Sequence, residues 1–195
     1  MIDEKKWLCV DAEGFPVEPG SMEETIMFRI DLFIEDLKKA NRWDPDYWHI
    51  SFDKRMDEIS TKFSFKKVRE FVEHLTYGPI IVDRKMSPSI GNVILINQTE
   101  IVFTGLNYNY AVRQNEDSDW VIERAMTQYG DLILARSGVG GVGKNKISIY
   151  LEEEQKACVQ CFVDLLRVKN INPFYLLVFW KSQYGWNQIY RIING

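Results

Sequence analysis

After Tyr77-Gly78-Pro79 the hydrophobic period of the chain changes, and that change restricts the fold more than any other feature. The Gly-Pro pair ends helical periodicity. Short β-rich runs follow it: Ile80 to Val82, Val93 to Asn97, Ile101 to Thr104, Trp120 to Ile122, Leu132 to Ala135 and Ile147 to Leu151, with Cys158 to Val168 as a longer strand candidate. Polar loops separate them, including Arg84-Lys85-Met86-Ser87-Pro88-Ser89 and Gly105-Leu106-Asn107-Tyr108-Asn109-Tyr110. On the N-terminal side the spacing is helical. Residues 1–20 read as an irregular lead-in punctuated by Gly14, Pro16, Pro19 and Gly20. Ser21-Met22-Glu23-Glu24 is then a capping box, and Ile26, Ile30, Phe33 and Leu37 share one face of a helix running to Lys38-Lys39. Phe52, Met56 and Ile59 space a short helix, and Val68, Phe71, Val72 and Leu75 predict another from Phe65 to Leu75. At the other end, Pro173 to about Ile193 reads as helix with proline in its first turn. The expectation is an α+β fold: N-terminal helices, a central set of short, mostly antiparallel strands and a C-terminal helix, without βαβ alternation.

A chain of 195 residues can bury one sizeable core, with room for an appendage. No apolar run approaches the roughly 18 residues of a membrane span, and Met1-Ile2-Asp3-Glu4-Lys5-Lys6 lacks a signal-peptide core. Three cysteines make a disulfide framework unexpected and a reducing cytoplasm the expected compartment. The net charge of −4 is unevenly spread. Residues 1–40 hold ten acids and five bases, which leaves eighteen acids and nineteen bases for the other 155. Two domains are expected from this: an acidic leader with an amphipathic helix at 1–40, facing a partner or serving as a linker, and a near-neutral domain at 41–195. A neutral domain argues modestly against strong non-specific DNA binding. Aromatic residues, at 13%, are abundant enough for packing, stacking and interface anchoring alike.

The stretch from Gly130-Asp131-Leu132-Ile133-Leu134-Ala135-Arg136-Ser137 through Gly138 to Lys146 carries the most distinctive local chemistry. An apolar run ends at an arginine, passes through four glycines in six residues and leaves through Lys144 and Lys146. A basic, glycine-rich loop brings backbone amides close to an anion. Gly138-x-x-x-x-Gly143-Lys144 has the spacing of a nucleotide P-loop, yet Asn145 stands where the Mg²⁺-binding hydroxyl belongs, and Lys146 to Leu151 alternates like a strand instead of opening a helix. ATP is not the expected ligand. Asn172-Pro173-Phe174-Tyr175 resembles the motif with which amino-methyltransferases hold a target base, but no Phe-x-Gly-x-Gly cofactor element accompanies it, and a helix cap explains it better. Cys158-Val159-Gln160-Cys161 has neither a second cysteine pair nor a helix start after it, and His49 and His74 fall in helical segments, so zinc and thioredoxin chemistry lack support. No catalytic residue, metal or cofactor is expected.

Four stretches in order carry a resemblance: Arg42-Trp43-Asp44-Pro45-Asp46-Tyr47-Trp48, Thr76-Tyr77-Gly78-Pro79, Gly130 to Ser137 with Val142-Gly143-Lys144, and Asn172-Pro173-Phe174-Tyr175 through Lys181-Ser182 to Ile193-Asn194-Gly195. Across about residues 41–195 the chain resembles the target-recognition domain of type I restriction–modification specificity subunits, or the equivalent domain of a fused restriction–methyltransferase. That family normally pairs two such domains through long helices, and here there is one. The expectation is a truncated chain or the recognition portion of a larger protein, with 1–40 as the tail of a fused methyltransferase region.

The resemblance implies a non-catalytic reader of duplex DNA that directs partner methyltransferase and endonuclease activities. On that reading Arg136, Ser137, Lys144 and Lys146, with the loop amides, contact phosphates. Tyr77, Arg84, Lys85, Asn107, Tyr108, Asn109, Tyr110 and Arg113 are the expected base-edge set, with Lys181 (and Gln183 and Tyr184) as a weaker set near the final helix. Two other classes compete. One is a non-catalytic protein–protein module that recruits a partner through its acidic helix; the other is an adenine-specific DNA methyltransferase fragment, which binding of S-adenosylmethionine to this chain alone would reveal.

Overall fold

The computed structural model of the chain describes residues 7–10, 26–29, 56–81, 91–136 and 146–193. Two compact units divide it: Met1–Phe65 with Asn187–Gly195, and Lys66–Trp186. In the first unit, β1 (Trp7–Val10) pairs antiparallel with β2 (Ile26–Arg29), and residues 56–60 are helical. The helix expected from Ser21 to Lys39 is therefore corrected at its centre. Ile26 and Phe28 favour extended backbone, and pairing with Trp7 to Val10 supplies a ladder that a pattern-based reading of one segment does not contain. The short helix expected around Phe52 to Ile59 agrees with the described residues 56–60.

The second unit is built from two sheets and a terminal helix. A four-stranded antiparallel sheet has the order β3-β11-β8-β9, from Val72–Tyr77, Val163–Val168, Leu132–Ala135 and Ile147–Ile149. A three-stranded sheet has the order β10-β4-β7, from Lys156–Val159, Val93–Ile96 and Arg113–Gln114; β10 and β4 run parallel. A small hairpin joins β5 (Ile101–Val102) to β6 (Gly105–Leu106). The terminal helix of this unit is α1 (Pro173–Lys181); α2 (Gln183–Ile193) follows it, and its residues from Asn187 on belong to the first unit. This is an α+β architecture with short, mostly antiparallel strands.

The main core lies between the sheets. Val93, Ile94, Leu95, Ile96, Ala157, Cys158 and Val159 of one sheet meet Ile133, Ala135, Val163 and Leu165 of the other. All four residues of β4 are buried, which is why it reads as an uninterrupted apolar run with no alternation. The expected strand from Cys158 to Val168 proves to be two strands in different sheets. Gln160 to Phe162 make the turn between them, with Gln160 N–H donating to the Ile96 carbonyl and Val163 N–H to the Gln160 carbonyl.

Residues 65–75 correct the helix expected there. Only Val68–Glu70 forms a single 3-10 turn, and β3 begins at Val72. The i, i+3, i+4, i+7 spacing is present, but β3 alternates in the strand sense, with Glu73 and Leu75 exposed and Thr76 buried. Pairing with β11 overrides the helical spacing. His74 is accordingly a strand residue and not a helical one. The run from Trp120 to Ile122 forms no ladder; its apolar side chains pack against the main core from a turn.

Two local devices fix where β8 and α1 begin. Gly130 has φ +89°, a left-handed conformation that glycine adopts without strain. It places Asp131, 1% exposed, so that its two carboxylate oxygens accept from Arg167 Nε at 2.8 Å and NH2 at 2.7 Å, while Gln128 N–H donates at 2.7 Å. The Asp131 carboxylate holds the Arg167 guanidinium proton more firmly than usual. The second device is at α1, where Asn172 Oδ1 accepts from Phe174 N–H at 2.9 Å and Pro173 opens the helix. The Asn-Pro-Phe-Tyr stretch is a helix cap.

These devices differ in expected cost. Removing one partner of a buried pair strands a charge, so Arg167→Ala is expected to lower unfolding free energy by about 3–5 kcal/mol. Asn172→Ala removes a cap worth about 1 kcal/mol. Urea denaturation distinguishes them, and equal losses would contradict the assignment of Asp131–Arg167 as the main constraint on β8.

Candidate nucleic-acid interface

The register of the four-stranded sheet decides which side chains share a surface. One row across the sheet is Leu75, Leu166, Leu132 and Ile149; the next row on the same face is Tyr77, Asp164, Leu134 and Ile147. A step further along, Arg136 N–H donates to the Phe162 carbonyl at 2.8 Å, which sets Arg136 and Phe162 opposite each other on that face. The opposite face, with Ile133, Ala135, Val163 and Leu165, forms the main core.

Helix α1 covers this outer face only in part. Leu176 packs with Leu132, Ile149 and Leu166 in a second core. Beyond that contact, Leu75 is 62% exposed, Phe162 is 59% exposed, and the Arg136 side chain is 44% exposed. The uncovered part thus presents an aliphatic residue, two aromatics, an arginine and a carboxylate on rigid backbone.

The side chains there are mutually ordered. The Arg136 guanidinium lies 4.1 Å from the centre of the Tyr77 ring and makes two 2.8 Å contacts to Asp164 Oδ1 through Nε and NH2. A second arginine, Arg124, lies 5.2 Å from the same ring and donates through NH1 to the Tyr77 carbonyl at 2.6 Å and to Thr76 Oγ1. The Arg124 carbonyl in turn meets His74 Nε2 at 2.8 Å. Tyr77 therefore carries two cations against its ring, a favourable arrangement for the ring quadrupole. Gly78 makes the position possible, since a Cβ there would fall 1.9 Å from the Val159 carbonyl oxygen. The chain leaving β3 can pass this close to the end of β10 only without a side chain.

Asp164 has an uncommon environment. Burial pushes its carboxyl above the usual range, and the Arg136 charge and hydrogen bond oppose that rise without cancelling it. Lys146 stands at the start of β9, where its carbonyl accepts from Ala135 N–H and its ammonium donates to the Gln98 carbonyl at 2.6 Å.

The other expected residues are distributed elsewhere in this unit. Arg113 pairs with Ile94 and donates to Gln155 Oε1 at 3.2 Å, close to the start of β4. Gln98 and Gln160 lie past the far ends of β4 and β10, about 10 Å away along a four-residue strand. Arg113 and Arg136 are thus at opposite ends of the sheets. Asn107, Asn109 and Tyr110 follow β6: Asn107 Oδ1 accepts from Asn109 N–H at 3.0 Å, and Tyr110 is 94% exposed. Tyr108 differs from these neighbours because it packs against the main core, and burial pushes its hydroxyl well above the usual tyrosine range. Lys181 donates to the Phe103 carbonyl at 3.0 Å with its charge 4.6 Å from the Phe103 ring. Burial lowers its ammonium, and it lines a cleft of about 340 Å³ with Leu106, Tyr108 and Leu177. Arg84, Lys85, Ser137 and Lys144 lie outside the described residues.

Sequence reasoning missed Arg124, Phe162, Asp164 and Leu75. Arg124 follows an apolar run in a turn, and nothing local marks it. Phe162 and Asp164 are hidden by the reading of Cys158 to Val168 as one strand, which conceals the turn that exposes Phe162.

Among the described residues no group of histidine, cysteine or acidic side chains is arranged to hold a metal, and no helix is long and apolar enough to cross a membrane. Cys158 is buried in β10, where burial raises its thiol, and Cys161 sits in the following turn; both are free thiols. No protein-family model and no curated protein matches the sequence.

The raised carboxyl of Asp164 has a stability consequence. Folded Asp164 holds its proton more tightly than the unfolded residue, so its contribution favours folding below the unfolded carboxylate range and is lost as pH rises through the folded value. Asp164→Asn removes that dependence. Its urea midpoint is expected to gain on the wild type as pH rises from below the ordinary carboxylate range to above the raised Asp164 value; a difference that does not change with pH would contradict the raised carboxyl.

Proposed function

We propose that the chain is a non-catalytic reader of duplex DNA in a restriction–modification system, directing partner methyltransferase and endonuclease activities. The observation that carries this reading is the meeting of Tyr77 and Arg136, 4.1 Å apart, on a sheet face that α1 leaves uncovered. The two residues come from separate parts of the sequence resemblance. The glycine-rich basic stretch departs from Arg136 and returns at Lys146, so its ends are tied to this same edge.

The chemistry fits a duplex. Arg136, Arg124 and Lys146 offer positive charge to phosphates, which fixes register without reading sequence. Exposed Asn107, Asn109 and Tyr110 offer polar groups to base edges from a loop after β6. Asn107 can do so with its amide NH2 while its Oδ1 holds the turn. The near-neutral balance of residues 41–195 accords with a domain that binds firmly only at a matched site.

A second reading has its own support. Phe174, Tyr175 and Val178 of α1 are 40%, 65% and 67% exposed, an apolar surface suited to protein contact. It is compatible with a recognition domain that also docks on a partner.

Selection from a randomised duplex pool with this chain tests the main reading directly: an enriched half-site is expected, and the absence of enrichment would sink it. Arg136→Gln is expected to weaken binding to every duplex and to reduce the slope of log K against log salt by about one unit. Arg113→Gln, at the far end of β4, is expected to leave that slope unchanged. Equal slopes for Arg136→Gln and wild type would remove Arg136 from the interface.

A further inference from the structure

We infer that Phe162 is an aromatic wedge that enters the base stack of the bound duplex. The inference rests on the DNA-reading proposal above and adds to it a mode of contact, local unstacking, by which the domain senses how readily a base step deforms.

The argument begins with how Phe162 is held. Phe162 is 59% exposed, and hydrogen bonds fix the backbone that carries it. Its carbonyl accepts from Arg136 N–H at 2.8 Å and from Gln98 Nε2 at 3.4 Å. The residue after it, Val163, is fully buried, and its N–H donates to Gln160 at 2.9 Å. Gln160, at the start of the turn, is 2% exposed and tied through N–H to Ile96 and through Nε2 to the Trp120 carbonyl. The turn has little freedom, and Phe162 projects from it on the same sheet face as Tyr77 and Arg136.

The surroundings match a nucleic acid better than an apolar protein pocket. Phe162 is opposite Arg136, and Lys146 donates to Gln98, whose side chain reaches the Phe162 carbonyl. Arg136, opposite Phe162, and Lys146, held on the Gln98 carbonyl, are the cations that would meet phosphates beside a base step opened by the ring. A protein partner offering only an apolar pocket would have to desolvate these charges. Tyr77 is less suited to the same task, because Arg136 already occupies its ring at 4.1 Å.

The experiment uses the full chain and the duplex enriched by the selection described above, with 2-aminopurine placed at each step in turn. Wild type is expected to raise fluorescence at one step, the sign of unstacking. Phe162→Ala is expected to abolish that rise and weaken binding by about 5- to 150-fold, the range of one lost aromatic–base stack, while leaving the salt slope unchanged. Phe162→Trp is expected to keep both the rise and the affinity. Because the side chain is exposed, the thermal midpoint of Phe162→Ala should match that of wild type. Binding by wild type with no fluorescence change at any step, or an undiminished rise with Phe162→Ala, overturns the wedge and leaves DNA reading intact. Failure of wild type to bind any duplex overturns both. Loss of binding to a protein partner alone, with DNA binding unchanged, would assign Phe162 to a protein interface.

Discussion

The bidentate pair between Asp131 and Arg167 is the constraint on which the arrangement of the outer sheet face depends. It joins the residue before β8 to the penultimate residue of β11, with one carboxylate almost wholly buried. A slip of one residue between these strands would send every side chain of β8 to the opposite face. Such a slip would also bury an uncompensated charge, which makes the wrong register expensive. With the register held, Arg136 falls opposite Phe162 and within reach of Asp164, and Asp164 stands beside Tyr77. An ion pair at one end of the sheet thus governs which groups are displayed at the other.

That division of labour gives the Gly130 to Arg136 stretch two roles. Its first half is structural: Gly130 supplies the left-handed turn and Asp131 the anchor. Its second half runs through buried Leu132, Ile133 and Ala135 to the exposed guanidinium of Arg136. The glycine-rich basic segment that follows begins from a residue whose position is already fixed by Asp164 and Tyr77.

Much of the fold could be read from local pattern. The buried runs at Val93 to Ile96, Leu132 to Ala135 and Ile147 to Ile149 are strands, and Asn172 with Pro173 starts a helix where capping chemistry places it. The errors arose where partners distant in sequence decide the outcome. Val68 to Leu75 has helical spacing, yet β11 captures it as a strand; Ile26 to Arg29 is likewise paired with Trp7 to Val10. The turn at Gln160 to Phe162 has neither glycine nor proline to mark it; hydrogen bonds from Gln160 to the Ile96 and Trp120 carbonyls, and from Arg136 N–H to the Phe162 carbonyl, hold it instead. The site was legible to the same degree. Tyr77 and Arg136 could be named from sequence, since each belongs to a short motif, whereas Arg124 and Phe162 are recruited by tertiary contacts.

The central claim is that DNA meets the uncovered part of the outer sheet face. Hydroxyl-radical footprinting of side chains, with and without a mixed-sequence duplex at low salt, tests it most directly, since Leu75, Tyr77 and Phe162 are all reactive and the first and last are well exposed. Protection of Phe162, Leu75 and Tyr77, with Tyr175 and Val178 of α1 unchanged, is the predicted result. Protection confined to Tyr175 and Val178, with Phe162 as reactive as in the free protein, would contradict it.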